Sequence, residues 1–79
     1  MNMDYSFGEK LKILREKKEL TQTELGDKLH MTQRKISYLE RDVYEPDMRD
    51  IYEICRFFHV SADYMLNIPI SQKNLRKKD

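Results

Sequence analysis

The side chains of this 79-residue sequence that could do catalytic or metal chemistry are two histidines, one cysteine and 14 carboxylates. His30 and His59 stand far apart, and nothing near them has the ligand spacing of a zinc site. A place at a helix end suits both better. Cys55 falls among Ile51, Ile54 and Phe58, the setting of a buried apolar thiol rather than of a nucleophile or redox switch. Asp47, Asp50 and Glu53 read as helix-start and surface charges, not as a catalytic pair, and no glycine-rich loop is present to cradle a phosphate. The sequence therefore predicts no metal, no cofactor and no enzyme activity.

A different chemistry gathers in residues 33–41. At about 100° per residue, Ile36 and Leu39 define one face of a helix, and Arg34, Ser37, Tyr38 and Arg41 fall on the opposite face. Gln33 sits at the exposed N-terminal end. This outward set offers amide, guanidinium and hydroxyl groups and no carboxylate, which is what the base edges of a DNA groove accept. Taken alone, the same set also describes an ordinary solvated helix face.

The elements that would position these groups are marked by their ends. Ser6 and Glu9 have the capping-box spacing, and Phe7, Leu11 and Leu14 recur at helical intervals, which predicts a helix over residues 6–18. Thr21 and Glu24 repeat the box, with Leu20 and Leu25 placed as a hydrophobic staple, and a short helix follows to about Leu29. Thr32 caps the next helix, which runs to about Arg41 with Met31 and Ile36 as its staple. Only His30 and Met31 separate these two helices, so they must meet at a tight turn. Asp47 caps a fourth helix whose predicted core stripe is Met48, Ile51, Ile54, Cys55 and Phe58, with Asp50 favouring its positive end. Ser61 caps a short last helix in which Ala62, Met65 and Leu66 can pack, and Pro69 ends regular structure. The expected fold is all-α, a compact five-helix bundle containing a helix-turn-helix.

Bulk composition is compatible with this. The length suits one domain, expected over residues 1–70, followed by a basic tail over 71–79. Hydrophobic residues make up 39% and charged residues 37% of the chain. No apolar run reaches the roughly 18 residues of a membrane span, and the first residues lack the apolar stretch of a secretory signal. One cysteine allows no internal disulfide and fits a reducing cytoplasm. Formal net charge is only +1, but residues 71–79 hold four basic residues and one acid, leaving an excess of acids in the rest. Positive charge would have to be gathered on one face of the body, with Lys73, Arg76, Lys77 and Lys78 supplying a non-specific, salt-sensitive attraction to phosphates.

Over residues 22–41, QTELGDKLHMTQRKISYLER, the sequence resembles the helix-turn-helix of the lambda-repressor and Cro-like (XRE) family. Leu25, Leu29, Met31, Ile36 and Leu39 occupy its apolar positions. The resemblance extends outward, through Leu20-Thr21-Gln22 on one side and from Pro46 to Met65-Leu66 on the other, and covers roughly residues 6–68. It departs from the family pattern at His30 and His59, and at Glu19 and Asp42, where glycine is common. Such places often require a left-handed backbone, which His and Asp tolerate better than most. Gly26 stands where a small alanine is usual, at the crossing of the second and third helices, and Phe57 fills a site that is often small.

The resemblance implies sequence-specific binding to double-stranded operator DNA and regulation of transcription, with repression expected. Gln33, Arg34 and Ser37 are the expected base contacts, because the N-terminal part of the third helix enters the major groove. Gln22, Lys35, Tyr38 and Arg41 are the expected phosphate contacts. Arg15 and Glu40 match positions where the family has an ion pair between the first and third helices. Family members commonly pair, which predicts a homodimer; Phe57, Tyr64, Ile68 and Ile70 are its candidate interface. Alternatively, Phe57 and Ile68 complete the core and the protein acts as a monomer or pairs only on DNA. A second function of the same fold, as an antitoxin or other protein-binding regulatory module, is disfavoured because the tail is short, polar and basic.

Overall fold

The structure, a computed structural model, describes residues 5–68. Five helices follow one another: α1 (Phe7–Lys17), α2 (Gln22–Leu29), α3 (Gln33–Glu40), α4 (Met48–Phe58) and α5 (Ala62–Leu66). There is no strand among the described residues. Every helix opens on a side-chain cap. Ser6, Thr21, Thr32, Asp47 and Ser61 each accept the backbone N–H three residues on. In α1, α2 and α4 the third residue returns the bond: Glu9 to Ser6 N at 2.8 Å, Glu24 to Thr21 N at 2.8 Å and Asp50 to Asp47 N at 3.1 Å. A cap of this kind contributes about 1 kcal/mol, a large share of what such short helices need to start.

Five helix or turn ends pass through the left-handed region without glycine. Glu19, His30, Asp42, His59 and Asn67 all have φ of 58–59°. At His30 this reversal lets Met31 N donate to the Gly26 carbonyl at 2.8 Å and brings α3 hard against α2. A Cβ on Gly26 would collide with the Met31 carbonyl oxygen, so close approach is the reason for glycine inside that helix. Gly8 plays the same part where α1 crosses the end of α3, facing the Leu39 and Glu40 carbonyls. Asp42 adds a polar clamp there, accepting Gly8 N at 3.0 Å and the Ser6 hydroxyl at 2.5 Å.

The core is Leu11, Leu25, Leu29, Ile36, Leu39, Ile54, Phe58 and Met65. Burial of each such side chain stabilises by about 1.5–3 kcal/mol before conformational entropy is subtracted. Lys10 is also buried, at 2% exposure. Its ammonium donates to the Tyr64 carbonyl and to Asn67 Oδ1, both at 2.5 Å, and lies 4.3 Å from the centre of the Tyr64 ring. It satisfies the carbonyl end of α5, which fastens that helix to α1.

Two packing expectations fail. Met48 is 87% exposed, and Leu66 and Ala62 are exposed as well. Counting about 100° per residue around α4, Met48 lies some 120° from the buried Ile54, on the flank of the apolar stripe. Of that stripe only Ile54 and Phe58 are buried, with Cys55 half-buried against the core. Met48, Ile51, Tyr52 and Cys55 instead line an open apolar depression with Val60, Ala62 and Leu66.

Candidate nucleic-acid interface

The turn from α2 into α3 sets the orientation of α3. Its inward face is fixed by Ile36 and Leu39, which are 0% and 1% exposed. Its outward face therefore presents Gln33, Arg34, Tyr38 and Arg41, all exposed, and Ser37, half-buried. The Arg41 guanidinium carbon stands 5.4 Å from the Tyr38 ring centre, and Tyr38 and Arg34 border a shallow depression with Thr32, Lys35 and Tyr44. The one carboxylate of α3, Glu40, is turned inward and is 6% exposed. The surface around Arg34 is thus built of amide, hydroxyl, aromatic and cationic groups.

Glu40 is held by Arg15. Arg15 Nε donates to Glu40 Oε2 at 2.6 Å and its Nη2 to Oε1 at 3.1 Å, while Nη1 donates to the Leu20 carbonyl at 2.8 Å. This two-pronged bond ties α1 to α3, and through Leu20 to the entry of α2. The bond to Glu40 raises the Arg15 guanidinium above its already high ordinary pKa, against the opposing effect of burial. Gln22, at the first turn of α2, donates from Nε2 to Glu40 Oε1 at 3.0 Å. Gln33, at the first turn of α3, donates from Nε2 to Gln22 Oε1 at 2.6 Å. A line of hydrogen bonds therefore runs from α1 to the exposed start of α3.

Lys35 occupies an unexpected setting. Its ammonium lies 2.8 Å from Asp50 Oδ1 and 5.3 Å from the Tyr44 ring centre. The bond to Asp50 raises the pKa of Lys35, again against burial. Asp50 is 2% exposed and the Lys35 side chain 31%, so the pair joins α3 to the start of α4 with its carboxylate buried and its ammonium partly open to solvent. Tyr44 is a further residue beside Arg34 that the sequence did not single out, and Thr32, read there only as a cap, lies beside Arg34 as well; both are in the turns flanking α3, where helical periodicity gives no signal.

The residues expected at a dimer surface are distributed differently from one another. Phe57 is half-buried, edge-on to Phe58 at 4.9 Å and under the Lys18 ammonium at 5.7 Å. Tyr64 is half-buried under Lys10, Ile68 is half-buried, and Ile70 lies outside the described residues. The large exposed apolar side chains at this end of the fold are Met48, Tyr52 and Leu66. No group of three or more metal-ligating side chains occurs among the described residues, and no described helix is long and apolar enough to cross a membrane.

Two short helices joined by a tight left-handed turn, the second presenting a carboxylate-free polar face, define a helix-turn-helix DNA-binding domain. Comparison with known proteins agrees: a helix-turn-helix family model matches residues 11–65, and this chain belongs to that family, in its lambda-repressor-like branch. The chain is 36% identical over 70 residues to the HTH-type transcriptional regulator ImmR of Bacillus subtilis (strain 168), covering 87% of this chain and 55% of that protein. It is also 36% identical over 67 residues to the uncharacterized HTH-type transcriptional regulator YqaE of the same organism, covering 85% of this chain and 58% of that one. This chain thus spans somewhat more than half the length of these relatives. Among solved structures, the P22 c2 repressor in complex with synthetic operator 9T superposes with a TM-score of 0.74 at 27% identity, over 78% of this chain and 94% of that one.

Proposed function

We propose that this chain binds double-stranded operator DNA, with α3 in the major groove, and represses transcription as a homodimer. The observation that carries the reading is the outward face of α3, from which the helix's single carboxylate has been withdrawn into an ion pair with Arg15. A carboxylate left on that face would repel phosphates and add an acceptor to the many that the groove already presents. The likeness to the P22 c2 repressor, a protein in complex with a synthetic operator, supports DNA as the partner.

In this reading Gln33, Arg34 and Ser37 meet base edges, with Gln33 suited to adenine and Arg34 to guanine. Tyr38 and Arg41 meet phosphates. Lys35 can hold Asp50 and still offer a phosphate one of its three donors. Gln22 has its amide engaged on Glu40 and Gln33, and meets a phosphate through its second amide hydrogen and the free backbone N–H groups at the start of α2. The basic tail adds affinity without choosing sequence.

Pairing follows from information: one recognition helix reads only a few base pairs, too few to find a site in a genome. Two such helices about 34 Å apart, one turn of DNA, would read an inverted repeat. Phe57, Tyr64, Ile68 and Ile70 remain the proposed contacts, to which the exposed Leu66 is added. Selection of bound sequences from a random DNA pool with the purified protein tests the function. The expected result is an inverted repeat of two half-sites. Recovery of no preferred sequence would refute sequence-specific binding, and a single unrepeated half-site would refute the dimer.

A further inference from the structure

The hydrogen-bond line Arg15–Glu40–Gln22–Gln33 has a direction fixed by chemistry. A guanidinium can only donate and an ionised carboxylate can only accept. Glu40 Oε1, held by Arg15, must therefore receive the nitrogen of the Gln22 amide, as it does at 3.0 Å. That leaves Gln22 pointing its oxygen at Gln33, which must answer with its own nitrogen, as it does at 2.6 Å. The amide of Gln33 is thus not free to turn over. One of its N–H groups is consumed, and one N–H and the carbonyl oxygen remain for a ligand beyond the surface. This donor–acceptor pair complements the N7 and N6 of adenine, whereas the opposite amide orientation would present two N–H groups, the complement of guanine N7 and O6.

We infer that Glu40, buried and out of reach of DNA, is a specificity-positioning residue: with Arg15 behind it, it sets through Gln22 which way the Gln33 amide faces, and so which purine α3 prefers at one base pair. This rests on Gln33 meeting a base, as proposed above. Glu40 differs here from a residue that merely supports α3. Loss of simple support would weaken binding to all sequences alike, whereas reversing the amide line changes the ratio between two of them.

Glu40→Gln makes the distinction. An amide at position 40 has one oxygen for the two Arg15 donors; placed on Nε, the shorter bond at 2.6 Å, it puts the amide nitrogen in the place of Oε1 and gives up the 3.1 Å bond from Nη2. Gln22 must then present its oxygen to residue 40 and its nitrogen to Gln33, and the line is inverted. Gln22→Leu is the companion variant; it cuts the line while leaving the Arg15–Glu40 pair whole, so it carries the test even if Glu40→Gln does not fold. Gln33→Ala identifies the base pair concerned.

The experiment measures affinity, by fluorescence anisotropy, for duplexes of the selected sequence with adenine or guanine at that base pair. Natural protein should favour adenine by roughly ten- to hundredfold, the usual worth of a bidentate contact. Glu40→Gln should collapse or invert the ratio, and Gln22→Leu should lower it toward one. If Gln33→Ala relaxes one position while both other variants fold and keep the natural ratio there, the amide line is overturned and the base contact stands. If Gln33→Ala relaxes no position, Gln33 reads no base and the inference falls with that reading.

Discussion

Replacing Arg15 by methionine tests what holds the recognition helix in place. The Glu40 side chain is 3% exposed and that of Arg15 11%, so the variant strands a carboxylate with almost no water to take over from the guanidinium. Gln22 Nε2 alone would remain as its partner. Breaking a buried pair from one side costs about 3–5 kcal/mol; one surviving hydrogen bond and the partial exposure of Arg15 place the expected loss near the lower end, about 3 kcal/mol by that measure. Total stability for a domain of this size is roughly 4–12 kcal/mol, so the variant should still fold in the cold but unfold at much lower denaturant. Urea unfolding followed by helical circular dichroism should show a midpoint lowered by about 2–3 M for a slope near 1 kcal/mol/M. The double variant Arg15→Met, Glu40→Leu removes both charges and should recover most of the loss, because two apolar groups leave nothing unpaired. A single-variant loss below about 1 kcal/mol, the worth of a solvent-exposed pair, would refute the idea that this pair is buried and anchors α3.

Glu19 is exposed and sits at φ 58°, so Glu19→Gly should raise thermal stability by roughly 0.5–1 kcal/mol, the left-handed penalty being partly offset by the freer unfolded chain; a drop in melting temperature would contradict it. Gly26→Ala should do the reverse of an ordinary helix substitution: instead of gaining about 1 kcal/mol of helix propensity, it should lose roughly 1–3 kcal/mol by forcing α2 and α3 apart, and equal or greater stability would show that the crossing can relax. Burial pushes the Cys55 thiol above its ordinary pKa, so its alkylation near pH 7 should be slower than that of a free thiol in the same buffer and should accelerate only at pH values above the usual thiol range of about 8.5. Labelling as fast as the free thiol would contradict that.

What was legible in the sequence was mostly local. A cap joins residues three apart, so Ser6 with Glu9 and Thr21 with Glu24 announce their helices whatever surrounds them. Thr32, Asp47 and Ser61 are legible for the same reason. The left-handed positions at Glu19, His30, Asp42 and His59 were visible only through resemblance, since nothing in a histidine or a glutamate signals φ above zero. Failures came where the outcome depends on residues far along the chain. Periodicity placed Met48 and Leu66 on apolar stripes, but which flank of a stripe is covered depends on where the other helices end. Nothing in the sequence marks Lys10 as buried, because the oxygens it serves lie in α5 and at the cap after it, more than 50 residues away. The pairing of Lys35 with Asp50 and the bond from Gln33 to Gln22 had no signal for the same reason. Charges and amides find partners by proximity, and proximity is known only once α2, α3 and α4 are assembled.

The most direct measurement of the central claim is the binding of natural protein and Arg34→Ala to the selected operator and to each of its single base-pair variants, at one fixed salt concentration. If α3 lies in the major groove with Arg34 on a guanine, the variant should lose roughly 1–3 kcal/mol on the selected operator and lose its discrimination at one position per half-site. Discrimination at the other positions should persist. Uniform weakening on every sequence, with all preferences intact, would place Arg34 on a phosphate and contradict the proposed placement of its side chain at a base edge.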